Sequence, residues 1–188
     1  MSRAVTMRWR FIAANVALAL ASLDARAQQT IPATALPTGG RLAAGQATIS
    51  QSGTAMSIVQ GTSRAALDWQ SFNIGANASV VFSQPSANAV ALNRVLGGSP
   101  SQIFGRLSSN GQVFLTNPSG ILFGRGAQVD VGGILATTLA MSTDDFMAGR
   151  YLLRGDGTSS SIINQGTLRS APGGYVALIA PLVQNEGI

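Results

Sequence analysis

Short apolar runs, each closed by glycine, asparagine, proline or serine, follow one another along most of the chain. Helical periodicity is scarce, and the runs are separated mostly by two to five residues, as between short β-strands. The pattern therefore predicts an all-β protein. The predicted strands are 47–50, 57–60, 80–83, 112–116, 121–123, 128–131, 134–138, 151–153, 161–163, 167–169 and 175–179.

An internal repeat favours a solenoid over a β-sandwich. The segment IINQGT (162–167) resembles VQNEGI (183–188) at an offset of 21 residues, with Ile162 over Val183 and Gly166 over Gly187. The segments VDVGGI (129–134) and ISQSGT (49–54) share the arrangement less cleanly. About 20 residues per unit suits one coil of a parallel β-helix. Because residue 188 falls where the preceding unit still had a strand to come, we expect the chain to be the N-terminal part of a longer protein.

One short helix is predicted near residues 142–149. Ser142 followed by Asp145 resembles a capping box, and Gly149 would end the turn. Asp144 and Asp145 are adjacent, so their side chains point in different directions on a helix and do not form a catalytic pair.

The segment NGQVFLTNPSGILFG (110–124) interrupts two apolar runs with a polar tetrapeptide. Asn117, Pro118, Ser119 and Gly120 suit the four positions of a type I turn. Nothing in the tetrapeptide is reactive, so the residues alone predict a corner between two strands. The flanking runs are apolar at consecutive positions, so both faces of these strands need cover.

The N-terminus has the order of a secretory signal peptide cleaved after Ala27. Three arginines precede the apolar segment FIAANVALALA, and Ala25-Arg26-Ala27 provides small residues at the cleavage site. The apolar run is shorter than the roughly 20 residues that span a bilayer, which disfavours a membrane anchor. Without residues 1–27 the chain keeps eight basic and six acidic residues, so its net charge falls from +5 to +2. The eight basic residues are scattered singly, and nucleic-acid binding is therefore not expected.

The composition excludes several chemistries. The chain has no histidine and no cysteine, which removes the common nucleophilic triads, the usual zinc sites, disulfides and a lipoprotein anchor. We expect no cofactor and no metal site. The six carboxylates after residue 27 show no spacing that brings two or three together, so the chain is not expected to be an enzyme: Asp68, Asp130, Asp144, Asp145, Asp156 and Glu186.

Several blocks in order resemble the N-terminal secretion domain of filamentous haemagglutinin-type exoproteins, the passengers of two-partner secretion. The turn motif of that family usually reads Asn-Pro-Asn-Gly, so Ser119 is a departure, and an upstream Asn-Pro-Asn-Leu motif is absent. The Asn-Arg-Val block instead favours the large adhesins and haem-acquisition exoproteins as closer relatives. The matching blocks are WQSFNIG (69–75), LNRV (92–95), SQIFG (101–105), GQVFLTNPSGILFG (111–124) and STDDFMAGRY (142–151).

The resemblance implies a right-handed parallel β-helix with an N-terminal cap and extra-helical strands. It also implies a partner, an outer-membrane barrel of a Gram-negative bacterium that recognises the domain through its periplasmic receptor domains. The expected route uses the general secretion machinery and signal peptidase, crosses the periplasm, and ends in secretion or at the cell surface. Residues assigned to transporter recognition or folding are Asn117, Pro118, Ser119, Gly120, Asn93 and Arg94; Trp69, Phe72, Phe114 and Ile121 are assigned to the core.

The sequence therefore leaves three functions open for this chain. The first is a non-enzymatic secretion module, residues 28–188, that adds strands to the transporter and nucleates β-helix folding outside the cell. The second is a module that itself binds a host glycan or haem, with host-cell contact otherwise left to downstream regions. The third is a β-helical carbohydrate-active enzyme, which would require carboxylates clustered in space or an Asp pair beside Arg94 or Arg106.

Overall fold

A computed structural model describes residues 31–155, 157 and 159–188. The predicted signal peptide, 1–27, lies outside the described residues. Nearly all regular structure in the described part is β: β1 Arg41–Ala44, β2 Ala47–Ser52, β3 Ala55–Gln60, β4 Arg64–Trp69, β5 Ser79–Ser83, β6 Val90–Val95, β7 Ser101–Ile103, β8 Arg106–Ser109, β9 Gln112–Thr116, β10 Ile121–Phe123, β11 Gln128–Val131, β12 Gly133–Thr137, α1 Thr143–Met147, β13 Ser161–Asn164, β14 Thr167–Ser170, β15 Val176–Ile179 and β16 Leu182–Asn185.

The strands stack into a parallel β-solenoid with three faces, which confirms the predicted fold class. Sheet A has the order β1-β4-β6-β9-β12-β15, sheet B the order β7-β10-β13-β16, and sheet C the order β2-β3-β5-β8-β11-β14. In the described residues the first coil contributes strands to sheets C and A only, and each later coil contributes one strand to each sheet in turn. Parallel strands that are neighbours in space therefore lie one coil apart in sequence. The five coils are β3–β4, β5–β7, β8–β10, β11–β13 and β14–β16.

The 21-residue repeat corresponds to one coil. Ile162 pairs in register with Val183, and the side chains of Asn164 and Asn185 stack with an Nδ2–Oδ1 distance of 2.8 Å. The two weaker copies are not repeats of the same corner. Residues 129–134 span the junction of β11 and β12, and residues 49–54 lie in an antiparallel hairpin, where Ile49 pairs with Ile58. Similar composition at every tight corner produced these two false matches.

Two antiparallel strands close the N-terminal end, as the family resemblance implied. Strand β1 pairs with β4, and β2 pairs with β3. Gly40 lies directly on the indole of Trp69, because a Cβ at residue 40 would come within 2.3 Å of the ring. The cap thus covers the first coil with backbone rather than with a large side chain.

Two separate apolar clusters explain the consecutive apolar positions in the strands. Val113 and Leu115 point into the solenoid and join the inner core, together with Trp69, Phe72 and Ile121. Phe114 points outward and joins a second cluster on the outer face of sheet A. Both faces of β9 are therefore covered, as the run 113–115 required.

The outer cluster is covered by an excursion of the chain between β12 and β13, defined here as residues 140–154. Helix α1 lies within it and is capped by Ser142, whose Oγ accepts a hydrogen bond from the Asp145 N–H at 3.1 Å. Gly149 has a φ of +77°, which ends the helix as predicted.

The predicted strand at 151–153 is wrong, because this segment belongs to the excursion and makes only an isolated bridge through Arg154. Six observed strands were not predicted: β1, β4, β6, β7, β8 and β16. Strands β4 and β6 contain charged or amide residues at positions that the folded solenoid covers. The sequences of these two strands therefore lack the continuous apolar pattern of a core strand. No helix in the described part of the chain is long and apolar enough to cross a membrane.

Glycines and alanines line the corners where one coil lies on the next. A Cβ at Gly105 would come within 2.2 Å of the Gly75 carbonyl oxygen and 2.3 Å of that of Ala78. The same crowding recurs at Gly187, where a Cβ would lie 2.1 Å from the Gly166 oxygen. The coils can approach to hydrogen-bonding distance at these corners only because the side chain is absent.

We therefore expect Gly105→Ala to destabilise the fold by about 2–3 kcal/mol, because the new methyl group must push two backbone carbonyls apart. Gly98→Ala is the matched control, since a Cβ there meets nothing within 4 Å, and it should change stability by less than about 0.5 kcal/mol. Urea unfolding of the purified mature chain measures both. Equal midpoints for the two variants would contradict this account of the corners.

Candidate functional site

The Asn117 turn joins β9 to β10 and is held by its own first residue. The Asn117 Oδ1 atom accepts a hydrogen bond from the Ser119 N–H at 2.9 Å, and the Asn117 carbonyl accepts one from the Gly120 N–H at 3.0 Å. No non-glycine residue in the described ranges has a positive φ, so Ser119 adopts the backbone of a type I turn rather than that of a type II turn. Gly120 has a φ of +111°, which explains why glycine stands there.

The same asparagine also ties this turn to the preceding coil. Its Nδ2 donates to the Ser99 carbonyl at 3.0 Å and to Ser101 Oγ at 2.9 Å. Asn117 is completely buried, and every polar atom of its side chain has a partner. Serine at residue 119 keeps this turn because the bond from Asn117 uses its backbone N–H and not its side chain.

An exposed loop, residues 96–100, lies directly beside the turn. Leu96 is 59% exposed, and Gly98, Ser99 and Pro100 are exposed as well. Asn117 fixes this loop through the Ser99 carbonyl. Pro118 and Ser119 are half-buried. The accessible surface at this corner therefore consists of the loop and the tip of the turn, while Asn117 supports both from beneath.

Asn93 lies inside the solenoid and makes a second set of buried bonds. Its Oδ1 accepts a hydrogen bond from the Trp69 indole N–H at 3.0 Å. Its Nδ2 donates to the carbonyls of Ala91 at 3.3 Å and Phe114 at 3.2 Å. Asn93 is fully buried. Through these hydrogen bonds its single amide group connects the first three coils.

Arg94 points the other way, onto the outer face of sheet A. Its Nε and Nη2 lie 2.8 and 2.6 Å from Asp68 Oδ1, and Arg41 of the cap strand lies 3.4 Å from Asp68 Oδ2. The Asp68 carboxylate is nearly buried, whereas the Arg94 side chain is 22% exposed. Asp68 and its two arginines therefore link the cap to the first two coils.

The predicted residues do not form one pocket. Asn93 is inside the solenoid, Arg94 is on the face of sheet A, and residues 117–120 form a corner. Sequence reasoning missed Asp68, Ser101 and the loop 96–100. The Gly-Gly-Ser-Pro stretch was a signal for the loop, whereas Asp68 and Ser101 have no local signal because their partners lie 16 or more residues away.

No carboxylate cluster appears within the described ranges. Residues 31–155, 157 and 159–188 contain no group of three or more acidic residues that could hold a metal ion. Asp145 bonds Arg150, whose hydrogen bond is the main cause of a lowered Asp145 pKa, with a further bond from Ser142. A groove of about 510 Å³ on the outside of sheet C includes Asp130, but it is lined mainly by serines and uncharged residues and contains none of the predicted site residues.

The model of one protein family, the TPS secretion domain, matches residues 11–188. The chain belongs to this family. It is therefore the secretion domain of a two-partner secreted exoprotein, a class that is exported across the outer membrane. Domains of this family are recognised by a partner transporter in that membrane.

The curated relatives of this secretion domain carry a common name. The chain is 48% identical over 103 residues to a heme/hemopexin-binding protein of Haemophilus influenzae strain Rd. This match covers 55% of this chain and 11% of that protein. A second Haemophilus influenzae protein of that name is 52% identical over 83 residues, 44% of this chain and 9% of its own length. The chain thus spans about a tenth of the curated relatives that it matches.

A solved structure resembles the secretion domain over most of its length. The crystal structure of the HMW1 secretion domain from Haemophilus influenzae matches with a TM-score of 0.72 and 34% identity. The match covers 80% of this chain and 41% of that chain. The predicted resemblance to two-partner secretion domains is confirmed.

We expect the bond between Trp69 and Asn93 to stabilise the secretion domain by about 1 kcal/mol beyond the packing of either residue. Asn93→Leu should cost about 2 kcal/mol because the indole N–H stays buried without a partner. Trp69→Phe removes that donor, so the double variant should be less destabilised than the sum of the two single variants. Thermal unfolding of the wild type, the two single variants and the double variant gives the coupling free energy of this double-mutant cycle. Strict additivity would show that the hydrogen bond contributes nothing.

Proposed function

We propose that residues 28–188 are a non-enzymatic secretion signal that the outer-membrane partner reads before the chain folds. The observation that carries the proposal is burial. Asn93 and Asn117 belong to the blocks that resemble the family, yet each is fully buried with its amide engaged. A transporter that contacts these side chains must meet them in the unfolded chain.

The unfolded chain offers strands to the periplasmic receptor domains of the barrel, whose sheet edges can accept them. Outside the cell the same strands pair with one another, and each coil becomes the template for the next. Strands β1 and β2 close the first end, which supports folding that begins at the N-terminus. The pairing free energy released outside then favours outward movement without a nucleotide.

Asn117 provides the test, because it can act in recognition or only in folding. Asn117→Ala removes three side-chain hydrogen bonds and should cost about 2 kcal/mol. Ser101→Ala is the matched control, since it removes one partner of Asn117 and leaves the turn sequence intact. The amount of secreted protein is measured in cells with the partner barrel and in cells that lack it, beside the stability of each purified variant.

We expect Asn117→Ala to be secreted less than its stability predicts, while Ser101→Ala follows its stability. If both variants follow one relation between stability and secretion, Asn117 acts through folding alone. Secretion that is unchanged without the barrel would reject the proposed function itself.

A second proposal concerns the whole exported protein, which we infer to bind a haem-carrying ligand. It is supported by 48% and 52% identity to proteins named heme/hemopexin-binding, although those matches span 11% and 9% of the relatives. We propose that this binding belongs to regions outside residues 28–188, because the chain lacks histidine and cysteine, two of the usual protein ligands of haem iron. Adhesion to a host glycan would likewise belong to those regions.

The mature chain should therefore leave the absorption spectrum of added haemin unchanged. Haemin titration of residues 28–188, followed in the Soret region, measures this directly. A saturable shift at one equivalent of haemin would move ligand binding into the secretion domain and support a binding module instead.

A further inference from the structure

The excursion, residues 140–154, is a closed unit. Its ends are joined by two backbone hydrogen bonds between Ala140 and Arg154, at 2.8 and 2.9 Å. Inside it, Arg150 Nη2 lies 2.8 Å from Asp145 Oδ1, and Asp145 also accepts a bond from Ser142 at 2.8 Å. The loop therefore holds α1 in place with its own residues and presents one apolar side.

That apolar side reaches every coil from the first to the fourth. Phe146 is fully buried, and its ring lies 6.1 Å from that of Phe114 between ring centroids. Tyr151 lies 4.9 Å from the same Phe114 ring. Ala177 of β15 is partly buried and packs against the outer cluster on sheet A. The buried members of the cluster come from β4, β6, β9, β12 and the excursion: Ala66, Val90, Leu92, Phe114, Leu135, Met141 and Phe146.

The excursion also reaches the cap. Helix α1 packs against β4 and β1, and a Cβ at Gly149 would lie 2.9 Å from the guanidinium of Arg64. Strand partners within the sheets lie about one coil apart in sequence, whereas α1 and β4, which pack against each other, are about 80 residues apart. This contact therefore couples parts of a solenoid whose coils otherwise touch only their neighbours.

Before the excursion docks, the outer face of sheet A is an uncovered apolar surface. Val90, Leu92 and Phe114 are almost fully buried in the folded domain, and without residues 140–154 they would face water. Exposure of that area weakens the first three coils, since burial of apolar surface is their main source of stability on this face. Coil-by-coil pairing alone therefore leaves them incomplete.

We propose that residues 140–154 are a strap that locks the cap and the first four coils in a single step. The role of the strap in export rests on the proposed secretion function, to which it adds a folding step. The cap and the early coils become stably folded only after the chain as far as Arg154 has left the transporter. Until then the early coils remain able to open, and the chain remains able to move in the barrel.

Hydrogen exchange of the purified mature chain tests the strap without reference to secretion. Phe146→Ala should raise the exchange rates of amides in β1 and β4 together, by about tenfold or more, although these strands lie some 80 residues before the change. Amides of β14 and β16 should keep their wild-type rates. Phe146→Leu, which retains an apolar side chain, is used if the alanine variant does not fold, and the same pattern is expected on a smaller scale.

Leu168→Ala is the matched control, because Leu168 is buried in the inner core of the fifth coil and lies outside the outer cluster. It should raise exchange in β14 and its neighbours and leave β1 unchanged. If Phe146→Ala raises exchange only within residues 140–154, the strap does not couple the coils and the inference is wrong. Hydrogen exchange could be coupled as expected while secretion does not need the barrel. That result would support the strap as a folding device and reject only its role in export.

Discussion

The fold depends on in-register pairing of each strand with the strand one coil away. Every coil exposes rows of N–H and C=O groups on both sides, and the next coil satisfies them, as Ile162 pairs with Ile121 on one side and Val183 on the other. A buried backbone group without a partner is costly, so the coils must approach closely all the way round. The small residues at the corners, Gly105 and Gly187 among them, meet this requirement.

Polar side chains can lie inside such a stack when they bond from coil to coil. Asn93 connects the indole of Trp69 with the carbonyl of Phe114 across three successive coils. Asn117 does the same between one corner and the loop before it, and Asn164 stacks on Asn185 at another. In each case an amide side chain serves as both donor and acceptor, which suits a position with backbone above and below it.

A solenoid built only from neighbouring contacts would open from either end. The antiparallel cap closes one end by adding β1 to sheet A and β2 to sheet C, and the excursion packs across the outer face of sheet A over several coils. The Asp68 carboxylate with Arg41 and Arg94 links cap and coils on the same outer face of sheet A that Phe146 covers. Under the proposed function the domain crosses the membrane unfolded and then remains folded outside, and the late closing contact that we infer for residues 140–154 would serve both stages.

Local patterns in the sequence determined ten of the sixteen strands in the described part of the chain, the turn and the helix cap. The run 113–115 and the Ser142–Asp145 pair are examples, since each depends on residues only a few positions apart. The 21-residue offset also determined that the strands form coils. Only the tertiary structure decided that Asn93 points inward, that Arg94 pairs with Asp68, and that Phe146 reaches the first coil. These contacts join residues from neighbouring or distant coils, and which side chains meet depends on the register of the whole stack, which no single stretch of sequence encodes.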